Sequence, residues 1–153
     1  MQALLNLHDC NHTIKANQPL SLWLQYVTMN DILTTNDIKL LVDTFYQKVR
    51  ANNVLAPIFA DKISEDRWPA HLENMYRFWG SILLYTHDYN GSPFDKHVGL
   101  PIDGKHFAHW INLFNETIDE LFIGEVAGIA KERAANIARI FEFKLSTLKN
   151  IET

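Results

Sequence analysis

His97, His71 and Tyr46 are the side chains best placed to do chemistry in this sequence, and for each an ordinary structural role competes with a functional one. His97 stands near the end of the stretch Tyr89-Asn90-Gly91-Ser92-Pro93-Phe94-Asp95-Lys96-His97-Val98-Gly99-Leu100-Pro101. Ser92 can cap a helix that opens on Pro93, Gly99 can end it in a left-handed conformation, and Pro101 prevents its return. The spacing predicts about one and a half turns at ~3.6 residues per turn. So short a helix buries little, and a histidine held rigidly against a ligand is one reason to staple it down. Taken alone, an ordinary surface or core histidine is the commoner outcome. His71 interrupts an apolar stripe of Trp68, Met75, Phe78 and Ile82, where a buried imidazole must be paired or must face a polar site. Tyr46 lies on the apolar face of a helix, so its hydroxyl either bonds a backbone carbonyl or points into a cavity.

Other chemistries are poorly served. No Ser or Cys occupies a nucleophile turn, no Glu-bearing zinc helix occurs, and Gly-rich phosphate loops are missing. His106 and His109 have a metal-compatible spacing but no third ligand spaced to join them. Cys10 is the single cysteine, which excludes an internal disulfide or a cysteine zinc site.

The elements that must position these residues read as helices. Thr34-Thr35-Asn36-Asp37 supplies caps for a helix whose Ile38, Leu41, Val42, Phe45, Tyr46 and Val49 form one apolar stripe. Asn52-Asn53 ends it, and Val54 to Phe59 reads as an apolar corner with Phe59 on a loop, over a core or a ligand. Ser64 or Asp66 starts the helix that carries His71, with Pro69 in its first turn. Gly104 precedes a helix with Phe107, Trp110, Ile111, Phe114, Ile118 and Leu121 inward, and Gly124 breaks it. The last helix turns Val126, Ile129, Ala130, Ala134, Ile137, Ile140, Phe141, Leu145 and Leu148 inward. Strand-like alternation is lacking, so the expected class is all-α. Residues 1–30 have no single period and read as an N-terminal extension with apolar clusters, preceding a domain over 31–153.

With 6 Gly and 5 Pro in 153 residues, long helices joined by short links are favoured. The formal charge of −4 comes without a basic run, so nucleic acid is not an expected partner. No apolar run reaches the ~18–20 residues of a membrane span, and the N-terminus lacks signal-peptide features, so a cytoplasmic protein is expected. An aromatic-rich helical crevice, an axial histidine and a few polar donors together describe a haem pocket better than any alternative.

The chain resembles the group III truncated haemoglobins, with their two-on-two helical sandwich. The resemblance runs from about Asp37 to Leu145. It is carried by Phe45-Tyr46-x-Lys48-Val49-Arg50, Leu55-x-Pro57-Ile58-Phe59, Trp68-x-x-His71, Phe78-Trp79, Tyr89-x-Gly91-x-Pro93-x-x-x-His97-x-x-Leu100-Pro101 and Phe107-x-x-Trp110. The Gly-Gly helix endings of the other truncated groups are missing, in keeping with group III, and the first thirty or so residues depart from the family core.

The resemblance implies haem b, with His97 as proximal iron ligand and Tyr46, His71 and Trp110 on the distal side. It implies Phe59 packed on the porphyrin and Phe45, Met75, Phe78 and Phe94 as further haem contacts, with Trp79 in the core. Lys96 and Arg77 are candidate propionate partners, though each also suits a solvated surface charge. The implied activity is binding of O₂, or of CO or NO, at a five-coordinate iron. The alternative is turnover of NO or peroxide at the same iron, served by a separate reductase.

Overall fold

The computed structural model describes residues 29–151. The expected N-terminal extension therefore lies almost wholly outside the described residues. Among the described residues five α-helices carry the fold: α1 (Thr35–Ala51), α2 (Ala56–Lys62), α3 (Trp68–Leu83), α4 (Gly104–Leu121) and α5 (Glu125–Ile151). No strand occurs among the described residues. Helix α1 packs on α3 and on α4, and α4 packs on α5, which makes the two-on-two sandwich.

Helix α1 begins at a reciprocal cap. The Thr34 hydroxyl accepts from the Asp37 N–H, while the Asp37 carboxylate accepts from the Thr34 N–H at 2.8 Å. Its buried residues are Ile38, Leu41, Val42, Phe45, Tyr46 and Val49, the stripe expected from the sequence. Asn52 stops the helix and starts the next turn, its side-chain oxygen accepting from the Val54 and Leu55 N–H groups at 3.0 Å each. The apolar corner is itself helical: Pro57 sits in the first turn of α2, where its missing N–H costs nothing, and Phe59 is on that helix rather than on a loop.

A single turn at Glu65–Arg67 follows Ser64, and α3 then begins at Trp68, slightly later than either expected start. Helix α4 is capped by Asp103, whose carboxylate accepts from the Lys105 and His106 N–H groups. Gly104 is the first helical residue, close against Glu142 of α5. Helix α4 ends at Leu121, before Gly124, whose φ of +149° makes the turn into α5. Asp31 completes that turn. Its carboxylate accepts from the Val126 and Ala127 N–H groups, each at 2.8 Å, and so caps α5 from far away in the sequence.

The core joins the α1 stripe to Trp79, Phe114 and Ile118, with Ala130 and Ala134 letting α5 approach closely. Trp79 stacks on Phe114 with ring centroids 4.6 Å apart. Burying each such ring contributes on the order of 1.5–3 kcal/mol. Two residues expected on the inner face of α5, Ile140 and Leu148, are exposed. The stripe drifts around so long a helix, so both fall outside the face that buries Ala134, Ala138 and Leu145. No helix among the described residues is long and apolar enough to cross a membrane.

Candidate functional site

A cavity of about 660 Å³ opens between the two helix pairs, lined by residues of all five helices and of the connection from Tyr89 to Ile102. His97 reaches it from that connection. The expected helix is a single tight turn, Phe94–Lys96, with Pro93 rather than Ser92 at its N-cap position and no side-chain capping hydrogen bond. Gly99, at φ +80°, ends the segment as anticipated. The His97 Nδ1 lies 2.8 Å from the Pro93 carbonyl oxygen, so Nδ1–H donates and the lone pair resides on Nε2. Burial holds the imidazole pKa below its ordinary value, against a smaller upward pull from that hydrogen bond. The ring rests against Phe141, with centroids 4.9 Å apart. The result is a neutral, oriented imidazole with one nitrogen left to ligate.

Tyr46 and His71 line the same cavity from α1 and α3, their ring centroids 4.9 Å apart. Phe59 and Trp68 pack edge-on against Tyr46, at 5.8 and 5.9 Å. Burial pushes the Tyr46 phenol pKa up, so the group stays protonated and remains a donor. Burial pushes His71 down to about 4, so this imidazole is neutral as well. Its Nε2 is buried and has no hydrogen-bond partner. An orphaned polar atom beside a cavity of this size is explained by a ligand that fills the cavity. Trp110 completes the set from α4, held by rings of Phe45 and Phe114 at 5.6 Å.

Phe59, Met75, Phe78 and Lys96 line the cavity as expected, and Trp79 borders it while packing in the core. Phe45 does not line it. Its side chain is fully buried behind Trp110, because neighbours on a helix point about 100° apart and Tyr46 takes the cavity side. Phe94 does not line it either; it packs on Phe141 at 5.3 Å, beneath the Lys144 ammonium. Arg77 pairs with Glu73 on the outer face of α3, away from the cavity.

Sequence reasoning missed Lys62, Arg67, Tyr89 and His106, all of which line the cavity. Arg67 lies four residues before His71 and His106 four before Trp110, so helical spacing was a usable signal for both. The His106 Nδ1 is engaged by Asp103 at 2.8 Å. Lys62, Arg67 and Lys96 make the lining cationic, and no Asp or Glu joins them, although the chain carries a formal charge of −4. A flat apolar molecule with carboxylates at its edge matches this wall, and haem is such a molecule.

Helices sandwiched two on two around such a crevice define the class, a globin. Comparison with known proteins narrows it. The bacterial-like globin family matches over residues 29–144. Group 3 truncated hemoglobin ctb of Campylobacter jejuni is 34% identical over 115 residues, which cover 73% of this chain and 91% of that protein. The crystal structure of the group III truncated hemoglobin from Campylobacter jejuni superimposes with a TM-score of 0.72 at 33% identity, covering 77% of this chain and 95% of that one. The truncated oxygen-avid haemoglobin from Bacillus subtilis shares the fold at a TM-score of 0.59 and 23% identity, over 71% of this chain and 93% of that one. The chain belongs to the bacterial-like globins and, within them, to the group III truncated haemoglobins. Its general activity is that of its family, haem-based gas binding.

Proposed function

We propose that the protein holds haem b through His97 Nε2 and retains O₂ in preference to CO by hydrogen bonding from Tyr46 and Trp110. Haem, when bound, supplies an iron with one open position for a diatomic gas. The chain's own residues determine which gas stays. His97, fixed by the Pro93 carbonyl, presents a neutral imidazole without reorienting. Tyr46 keeps its proton and donates toward a polar gas in the cavity. O₂ is the better acceptor, and a hydrogen bond to a partly charged acceptor contributes roughly 1.5–3 kcal/mol. His71 is a gate or second donor rather than a permanent iron ligand, which leaves the iron five-coordinate before gas binds.

The observation that supports this reading is the pairing, in a single aromatic cavity, of one oriented imidazole, His97, with the buried and unpartnered Nε2 of His71. Turnover of NO or peroxide with a separate reductase would use the same residues. No feature of the cavity is specific to it, so binding is the function adopted. The test is the absorption spectrum of the reduced protein before and after CO, for wild type and His97→Ala. Wild type is expected to show a five-coordinate spectrum that shifts with CO, and His97→Ala to lose it. A bis-histidine spectrum without added gas would overturn the role given to His71. Rapid NO consumption by the O₂-loaded protein, with sustained turnover once a reductant is added, would favour the enzyme.

A further inference from the structure

The second half of α5 carries an apolar face that the described residues leave open. Ile140, Phe143, Leu148 and Ile151 are 44, 71, 39 and 75% exposed. At ~100° per residue they fall within a sector of about 140° on the helix, turned away from the face that buries Ala134, Ala138 and Leu145. Lys144 shares the sector, but its ammonium is drawn aside over the Phe94 ring, 4.8 Å from the centroid. Single exposed apolar residues are ordinary, whereas four gathered on one face of one helix mark a surface that something covers. The bacterial-like globin match ends at residue 144, and α5 continues beyond it to Ile151.

The chain that precedes Met29 also lies outside that match. It has no charged residue from Ala16 to Asn30, and Leu20, Leu22, Trp23, Leu24, Tyr26 and Val27 crowd one short run. A second apolar group, Leu4, Leu5 and Leu7, stands farther back. The point where this segment joins the fold limits what it can reach. The Asn30 carbonyl accepts the Ile123 N–H at 3.2 Å, and Asp31 caps the first turn of α5. The segment therefore departs from the N-terminal end of α5. At ~1.5 Å per residue along the axis, Ile140 and Phe143 lie about 22 and 27 Å from Glu125, and Ile151 about 39 Å. The ten residues from Leu20 to Asn30 span at most ~33 Å, enough to cover Ile140 and Phe143 but not Ile151. We propose that the run Leu20–Val27 docks along the exposed face of α5, over Ile140 and Phe143, as a strap supplied by this chain itself. The run is uncharged and the face apolar, so the fit is hydrophobic rather than electrostatic. The strap backs the part of α5 that carries Phe141, whose ring meets that of His97. This is independent of what fills the cavity.

The test is amide hydrogen exchange of the full-length protein, read by mass spectrometry. Trp23→Ser combined with Leu24→Ser is expected to speed exchange over residues 137–151 about tenfold, with α1 and α3 unchanged. Phe143→Ser, at an exposed site that leaves the core untouched, is expected to speed exchange over residues 20–27 in return. Faster exchange over residues 33–40 instead of 137–151 in the first variant would put the segment on α1 and overturn the inference. A wild-type dimer that Phe143→Ser dissociates would give the face to a second copy of the chain. Binding to phosphatidylglycerol vesicles that Phe143→Ser abolishes would give it to a lipid surface, and either result overturns the strap. Unchanged exchange over residues 20–27 in Phe143→Ser would do so too, even if the Trp23 and Leu24 variant failed to fold.

Discussion

The Nδ1 of His97 lies 2.8 Å from the carbonyl oxygen of Pro93, four residues earlier. In a regular helix that carbonyl would accept the N–H of the residue four positions on. Here the His97 N–H bonds the Phe94 carbonyl at 2.8 Å, which leaves the Pro93 oxygen to the ring. The tight turn leaves that oxygen to the ring alone, and the hydrogen bond fixes the tautomer of the histidine. His97→Gly is expected to abolish the five-coordinate haem spectrum, and millimolar imidazole is expected to restore it. No recovery with imidazole would mean that His97 supports the fold rather than the iron.

Tyr46→Phe removes a donor and little volume. O₂ dissociation is expected to quicken by about ten- to a hundredfold, at ~1.4 kcal/mol per tenfold, while CO dissociation changes far less. Stopped-flow displacement of each gas measures both rates. Equal changes for the two gases would count against hydrogen bonding.

The structure makes opposite demands of two arginines nearly three turns apart, one just before α3 and one within it. Arg67 lines the cavity, whereas Arg77 is paired with Glu73 at 3.3 Å outside it. Arg67→Ala is expected to speed hemin loss by roughly two- to fivefold, the range of a partly solvated charge pair. Arg77→Ala should leave hemin loss unchanged. The reverse pattern would return the propionate role to Arg77.

His71 makes the protein without haem sensitive to acid. Its folded pKa, about 4, is depressed from the ordinary 6.5 by burial. Above 6.5 the imidazole is neutral in both states and imposes no cost. Below that the unfolded chain takes up the proton first, so stability falls with pH until the folded form also protonates near 4. Melting temperatures between pH 7 and 4 should drop more steeply for wild type than for His71→Phe. Parallel curves would show that His71 is not held neutral by burial.

Asp31 and Gly124 form one joint. Gly124 combines a φ of +149° with direct contact to the Asp31 side chain, which caps α5. Asp31→Ala is expected to cost about 0.5–2 kcal/mol, as for loss of a helix cap. Gly124→Ala is expected to cost at least as much, from backbone strain and loss of the same cap. Urea unfolding of the double variant should show less than the sum of the two costs, since they share one interaction. Simple additivity would mean that the cap does not depend on the glycine.

Much of the fold was legible in the sequence because its determinants are local. The α1 stripe from Ile38 to Val49, the Thr34–Asp37 cap and the glycine stop at Gly99 depend on residues within a few positions of one another. That His71 and Tyr46 face a cavity was legible from their place in apolar stripes at helical spacing, and His97 from the stretch punctuated by Pro93, Gly99 and Pro101, whereas the place of Trp110 came from the resemblance. Helix α2 was missed because its start rests on Asn52 and Pro57 acting together, and a run of apolar residues hides that.

The sequence by itself determined the four longer helices, the inward face of α1 and which side chains carry groups able to ligate or donate. Tertiary structure alone decided which of two adjacent aromatics, Phe45 or Tyr46, faces the cavity, and that Arg67 rather than Arg77 stands at its wall. It also brought Asp31 to the start of α5 and Tyr89 over Gly91 beside the same cavity. The reason is geometric. Periodicity along a helix gives the direction of a side chain only relative to its own axis, and the crossing of separate helices fixes what lies in that direction.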